Sequence, residues 1–254
     1  MNHRYCLDHF AISNIGYVRA NNEDAWKVDQ EKQFYVIADG MGGHKAGEVA
    51  ATLAVDQMCK AIQHIPENAS IEQTCRYLRA AIARTNTRVY KEAKRNPELA
   101  GMGTTLSCFM IKGQSLIYAH VGDSRLYRLR ATQTFELLTE DHSLKQTPFY
   151  DPEKPPPPHV LRNVITRAIG NSSSIYPDIG VIALNSKDLY LLCSDGLSDY
   201  VEKETLHSIL SSPLSLEKMG EKMVKAALEK GGNDNITLLL IHLDKAHETD
   251  LPRS

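Results

Sequence analysis

Apolar positions along the chain follow two periods. Short apolar or β-branched runs bounded by Gly, Asp or Lys-Gly turns predict buried strands over residues 34–38, 104–111, 115–121, 189–193 and 236–243. The stretch Ile111-Lys112-Gly113-Gln114-Ser115 predicts a tight hairpin, and residues 126–130 continue the meander, so antiparallel pairing is expected. Three- and four-residue spacing marks helices instead. Ala50, Leu53, Ala54, Met58, Ala61, Ile62 and Ile65 form one stripe. Ile71, Leu78, Ala81, Ile82, Thr85 and Val89 form a second, after a Ser70/Gln73 capping box. A third amphipathic segment, 216–228, carries Met219 and Met223 on its apolar side and stops at Gly231-Gly232. Strands, then a helix pair, then a meander predict an α+β fold with sheets and helices in separate layers. One stretch breaks the pattern: six of the eleven prolines fall between Pro148 and Pro158. Such a segment cannot donate to a sheet ladder and reads either as a linker between two domains or as a surface flap near a site.

Composition narrows the choices. The 254 residues suit one large domain or two small ones, and one is favoured; a core of this size needs no disulfide or structural metal. With 29 Lys and Arg against 31 Asp and Glu, the net charge of −2 offers no basic field for a nucleic acid. Five scattered cysteines without a CxxC pair support neither a disulfide framework nor a zinc knuckle and suit a reducing cytosol. The first residues lack the apolar run of a signal peptide, and no stretch approaches ~18 uninterrupted apolar residues. A soluble, cytoplasmic monomer without membrane or nucleic-acid partners is expected.

The chemistry lies in the carboxylates. Three apolar strands end in an acidic residue beside a small one, at Asp39-Gly40, Asp123-Ser124 and Asp195-Gly196, and Asn233-Asp234-Asn235 immediately precedes a fourth strand. One Asp-Gly is ordinary turn chemistry; the repetition is not. Carboxylates gathered at strand ends repel unless a cation neutralises them, and all-oxygen donors suit Mg²⁺ or Mn²⁺ rather than zinc. In Asp39-Gly40-Met41-Gly42-Gly43, the glycines let a main-chain carbonyl approach an ion.

Six ordered motifs carry a resemblance. They are residues 16–24 (GYVRANNED), 39–44 (DGMGGH), 101–105 (GMGTT), 120–125 (HVGDSR), 194–196 (SDG) and Asp234-Asn235. Together they resemble the metal-dependent PP2C-type serine/threonine protein phosphatases from about residue 8 to residue 243. DGMGGH and ITRAIG (165–170) are most similar to the short bacterial members. The resemblance implies a single domain, 1–254, built as a four-layer αββα sandwich of two antiparallel sheets flanked by helix pairs, with a flap at about 142–163. It implies that Asp39 bridges two Mn²⁺ or Mg²⁺ ions, one also held by Asp195 and Asp234 and the other by Glu23 and the carbonyl of Gly40. Asp123, with Asp195 and Asp199, would hold a third, weaker ion. Asp24 would hydrogen-bond metal-bound water, and Arg19, whose planar fork binds two oxygens at once, would clamp the phosphate.

Phosphomonoester hydrolysis then needs no protein nucleophile, because water between two divalent ions has its pKa lowered from 15.7 to roughly 7–9. No Cys-x5-Arg loop or DxDGT-like stretch supports a covalent route. The chain departs from some members by carrying Met41 where they have a histidine; His44 is a candidate general acid, or caps the following helix. His120 and His142 are expected in hydrogen bonds. The expected substrates are phosphorylated proteins, with a serine/threonine kinase as the opposing partner. Small phosphoesters, or a non-catalytic phosphopeptide-binding module, are the alternatives.

Overall fold

The computed structural model describes residues 5–42, 46–144 and 164–245. Five strands, β1 (Tyr5–Asn14), β7 (Arg125–Leu129), β8 (Phe135–Leu137), β10 (Leu189–Cys193) and β11 (Ile236–Lys245), form one sheet in the order β1-β11-β10-β7-β8. The second sheet runs β2-β3-β5-β6-β9 from β2 (Asp24–Asp29), β3 (Phe34–Met41), β5 (Leu106–Lys112), β6 (Ser115–Val121) and β9 (Asp178–Ala183). A short β4 (Gly103–Thr104) pairs with β3. These strand pairs are all antiparallel.

Alternation explains why the central strands read as unbroken apolar runs: both of their faces are covered. On β3, Phe34, Val36 and Ala38 pack under helices α1 (Ala46–Ile62) and α2 (Ile71–Arg95), while Tyr35 and Ile37 face the other sheet. On β10, Leu189, Leu191 and Cys193 pack under α4 (Lys203–Leu210) and α5 (Leu216–Glu229), while Tyr190 and Leu192 enter the space between the sheets. There Tyr35 stacks on Phe109 with ring centroids 4.8 Å apart. The layers are therefore helix pair, sheet, sheet, helix pair, as the resemblance implied, with a one-turn helix α3 (Asp195–Ser198) at the end of β10.

The capping box is formed. Ser70 Oγ accepts from the Gln73 N–H, and Gln73 Oε1 accepts from the Ser70 N–H. The predicted hairpin closes between Lys112 and Ser115 around Gly113, whose φ is +60°. One predicted strand divides in two. The run 104–111 breaks at Thr105, because Thr105 donates its N–H to the Asp39 carbonyl and accepts the Asp39 N–H on Oγ1, both at 2.8 Å. The proline-rich run lies outside the described residues.

Candidate metal centre

Sheet registry gathers the predicted acids at one end of the sandwich. Antiparallel pairing of β2 with β3 places Asp24 opposite Asp39. Pairing of β10 with β11 brings the end of one strand, followed by Asp195, to the start of the other, preceded by Asp234. Asn235 fastens the loops around them. Its Oδ1 accepts the Glu23 N–H at 2.8 Å, and its Nδ2 donates to the carbonyls of Ile15 (2.9 Å) and Asn21 (3.0 Å). Glu23 in turn accepts the Gly40 N–H on its carbonyl at 3.1 Å. Only glycine fits at position 40, since a Cβ there would stand 2.1 Å from the Gly47 carbonyl oxygen. On the other flank, Thr105 Oγ1 lies 2.8 Å from Ser124 Oγ, tying the backbone of Asp39 to the turn that carries Asp123.

The electrostatics are unbalanced. Burial, and then the charges of Asp24, Asp195 and Asp123, hold the Asp39 carboxyl well above its ordinary pKa. Burial likewise pushes Asp123 up to about 8, with Asp195, Asp141 and Asp199 adding to it. Asp24 is pushed to about 7 by burial and the Asp195 and Asp234 charges, against hydrogen bonds from Thr237 and Ser194. Asp195 rises to about 6 through burial, Asp234 and Asp199, opposed by Asp39 and Arg19. Burial also raises Glu23, against the pull of Arg19. Oδ1 of Asp24, Asp123 and Asp195 is in each case shielded from solvent without a hydrogen-bond partner. An oxygen-only set with unsatisfied lone pairs and surplus negative charge fits hard divalent cations.

Arg19 supplies a cation at the rim, with Nη2 2.7 Å from Asp234 Oδ2. Asp234 is thereby turned toward Arg19, and among the described residues no three His, Cys, Asp or Glu side chains are set around one point. Seating an ion between Asp39, Asp195 and Asp234 therefore requires Asp234 to exchange Arg19 for it. Asp234 makes this contact through Oδ2, while its Oδ1 accepts the Asn235 N–H at 2.8 Å.

Seven predicted residues, Glu23, Asp24, Asp39, Gly40, Asp123, Asp195 and Asp234, thus share this end of the molecule, with Arg19 at its rim. Asp199 caps the end of α3, 3.6 Å from Arg125 Nη2. His44 lies outside the described residues. Sequence reading missed three contributors. Asn235 stood in a recognised motif without a role, and Ser194 donates to Asp24 Oδ2 at 2.8 Å. Asp141 takes a two-pronged contact from Arg125, Nε to Oδ1 at 2.9 Å and Nη2 to Oδ2 at 2.6 Å. A cavity of about 530 Å³ beside this pair is lined by Arg125, Thr139, Asp141, Asp199, Tyr200 and Lys203 among others.

The protein phosphatase 2C family model matches residues 17–239. The serine/threonine phosphatase stp of Listeria welshimeri is 35% identical over 232 residues, 89% of this chain and 92% of that protein. PstP of Mycobacterium tuberculosis is 35% identical over 237 residues, 92% of this chain and 44% of the longer relative. Among solved structures, the PstP catalytic domain in complex with two manganese ions has a TM-score of 0.82 at 33% identity, covering 95% of this chain and 100% of that one. Stp1 from Staphylococcus aureus has a TM-score of 0.84 at 34% identity, covering 95% and 97%.

Proposed function

The chain belongs to the protein phosphatase 2C family and is a metal-dependent serine/threonine protein phosphatase that uses Mn²⁺ or Mg²⁺; from that premise we propose which of its residues do the work. Asp39, Asp195 and Asp234 would hold one ion, and Asp39, Glu23 and the Gly40 carbonyl the other. When bound, the pair of ions neutralises the carboxylates and supplies a nucleophilic water at neutral pH. Ser194 donates to Asp24 Oδ2 at 2.8 Å and fixes that side chain, and Asp24 would orient the nucleophilic water by a hydrogen bond. Were Asp234 to take part in holding an ion, Arg19 would be free to grip two phosphoryl oxygens of the substrate with its guanidinium. Asp123 and Asp199, with Asp195, would hold the third, weaker ion, and His44 remains the candidate acid for the leaving oxygen.

The observation that carries this reading is the clustering of buried Asp24, Asp39, Asp123 and Asp195, each held above its ordinary pKa by burial and by its acidic neighbours, with Oδ1 of Asp24, Asp123 and Asp195 left unsatisfied. We further infer a single catalytic domain over residues 1–254, acting as a cytoplasmic monomer on phosphoproteins made by an opposing serine/threonine kinase, with the 142–163 segment contacting the substrate polypeptide. The unpaired state of Cys59, Cys75, Cys108 and Cys193 supports a reducing compartment. Among the described residues no helix is long and apolar enough to cross a membrane. The deciding assay follows release of phosphate from phosphoserine and phosphothreonine peptides beside an aryl phosphate while Mn²⁺ is titrated. Peptide hydrolysis that rises with Mn²⁺ and vanishes on chelation is expected; full activity after exhaustive chelation would overturn the reading.

A further inference from the structure

The turn that carries Asp123 is gripped from both sides by the adjacent residues Asp141 and His142. Gly122, just before Asp123, has φ +110°, and a Cβ there would stand 2.6 Å from Thr105 Cγ2, so this position of the turn carries no side chain, and Ser124 anchors the turn's other end through Thr105. Both of its backbone polar groups go to His142. The Gly122 N–H donates to His142 Nδ1 at 3.1 Å, and the Gly122 carbonyl accepts the His142 N–H at 2.8 Å. On the far side of Asp123, Arg125 grips Asp141 with its two-pronged contact and donates to the Ser198 carbonyl at 3.3 Å.

His142 is itself held. Because Nδ1 accepts from Gly122, the imidazole proton sits on Nε2, which donates to Asp178 Oδ2 at 3.0 Å. Arg167 Nη1 donates to Asp178 Oδ1 at 3.1 Å, balances that carboxylate, and stands 3.2 Å from His142 Nε2. The His142 carbonyl accepts the Thr166 N–H at 2.7 Å, Ser143 bridges to Ile165, and the Leu144 N–H donates to the Val164 carbonyl at 3.1 Å. The same residue thus closes the two ends of the 145–163 segment onto the Asp123 turn.

We propose that His142 and Asp141 are positioning residues that clamp the Asp123 turn, so that the third-ion ligands and the root of the proline-rich segment move as one unit. The clamp acts through Asp123 and rests on the assignment of that residue to the weaker ion. Removing a group that orients a metal ligand typically weakens the metal about 10–100-fold.

Two variants divide the imidazole between them: His142→Asn keeps an acceptor near the Nδ1 position, and His142→Gln keeps a donor near the Nε2 position. The chelated, full-length proteins are compared by amide hydrogen exchange at Gly122 and by calorimetric titration with Mn²⁺ alone. Expected for His142→Gln are at least roughly tenfold faster exchange at Gly122 and about tenfold weaker binding of the weakest ion, with both near wild type in His142→Asn. Equal exchange at Gly122 in wild type and both variants, or an unchanged weak ion in His142→Gln, would overturn the clamp. If His142→Gln does not fold, Asp141→Asn tests the other arm, with a weakened weak ion expected and unchanged binding contradicting it. Asp123→Ala separates the two claims: loss of the weak ion supports its assignment, whereas wild-type titration overturns that assignment and leaves Gly122 exchange to judge the clamp.

Discussion

The two ends of strand β10 each bury aspartates, and they treat them differently. At one end Asp188, 1% exposed, receives Arg128, 3% exposed, on Oδ2 through both Nε at 2.8 Å and Nη2 at 2.5 Å, so its charge is paired although its Oδ1 is left without a hydrogen-bond partner. At the other end Asp195 shares its surroundings with Asp39, Asp24, Asp123 and Asp234; Arg19 pairs with Asp234 at the rim, and Arg125 pairs with Asp141 beyond Asp123. A protein that can place an arginine over one buried carboxylate can place another. The Asp188 end compensates its charge from within and serves the fold. On the proposed assignment the Asp195 end leaves its charge for divalent ions, so the same residue type would mark stability at one end and chemistry at the other.

Substitutions at the two ends should therefore break different properties. Asp39→Asn has the largest expected effect on activity, a loss of at least roughly a hundredfold in kcat, since removing even an outer-shell partner of a metal costs 10–100-fold. Its metal-free thermal midpoint should be equal to or above that of wild type, because one of several repelling charges is gone. Scanning calorimetry beside peptide turnover checks both, and a folded Asp39→Asn protein with near-normal turnover would contradict the bridging role. Arg128→Met should do the reverse. It strands Asp188 and costs about 3–5 kcal/mol by urea unfolding, while replacing both partners with apolar residues should recover most of that loss. Turnover per folded molecule should not change.

A smaller effect comes from pH. The folded pKa values of Asp24, at about 7, and Asp123, at about 8, lie above the ordinary carboxylate value, and Asp39 is raised as well. The folded chain therefore holds more protons than the unfolded one, and the metal-free protein loses stability as pH rises, by about 1.4 kcal/mol per pH unit for each proton difference. His120 works in the opposite sense: burial, then His142, lowers it to about 4, so its contribution is lost only as pH falls from 6.5 toward 4. Between pH 6.5 and 8 the carboxylates dominate. The thermal midpoint of the chelated protein should fall across that window and stay level with saturating Mn²⁺; a level midpoint without metal would contradict the electrostatic picture. The smallest effect is expected for Arg19→Ala, whose exposed pair with Asp234 contributes at most about 1 kcal/mol to stability. Its KM for a phosphopeptide should rise several-fold, and unchanged kcat and KM would reject the phosphate clamp.

How much of this was legible depended on whether the signal was local. Strands β3, β6, β10 and β11 announced themselves because both faces of their central stretches are buried and mostly apolar. Strand β2, DAWKVD, and the edge strand β9, DIGVIA, did not, since a half-exposed strand with acids and a glycine resembles a loop. The acids of the site were readable as repeated strand-end Asp motifs, and the resemblance supplied their grouping. Asp141 was not readable in that way. Its partner Arg125 lies 16 residues away, and no periodicity connects a loop carboxylate to a strand-start arginine. His142 was expected in a hydrogen bond, but that it closes on Gly122 follows only from the fold.

The most direct measurement is calorimetric titration of the chelated wild-type protein and of Asp39→Asn with Mn²⁺ at neutral pH. If the charge left at the Asp195 end exists to hold ions, the wild type takes up at least two and Asp39→Asn loses at least one of them while remaining folded. Identical stoichiometry and affinity in the two proteins would show that Asp39 bridges nothing.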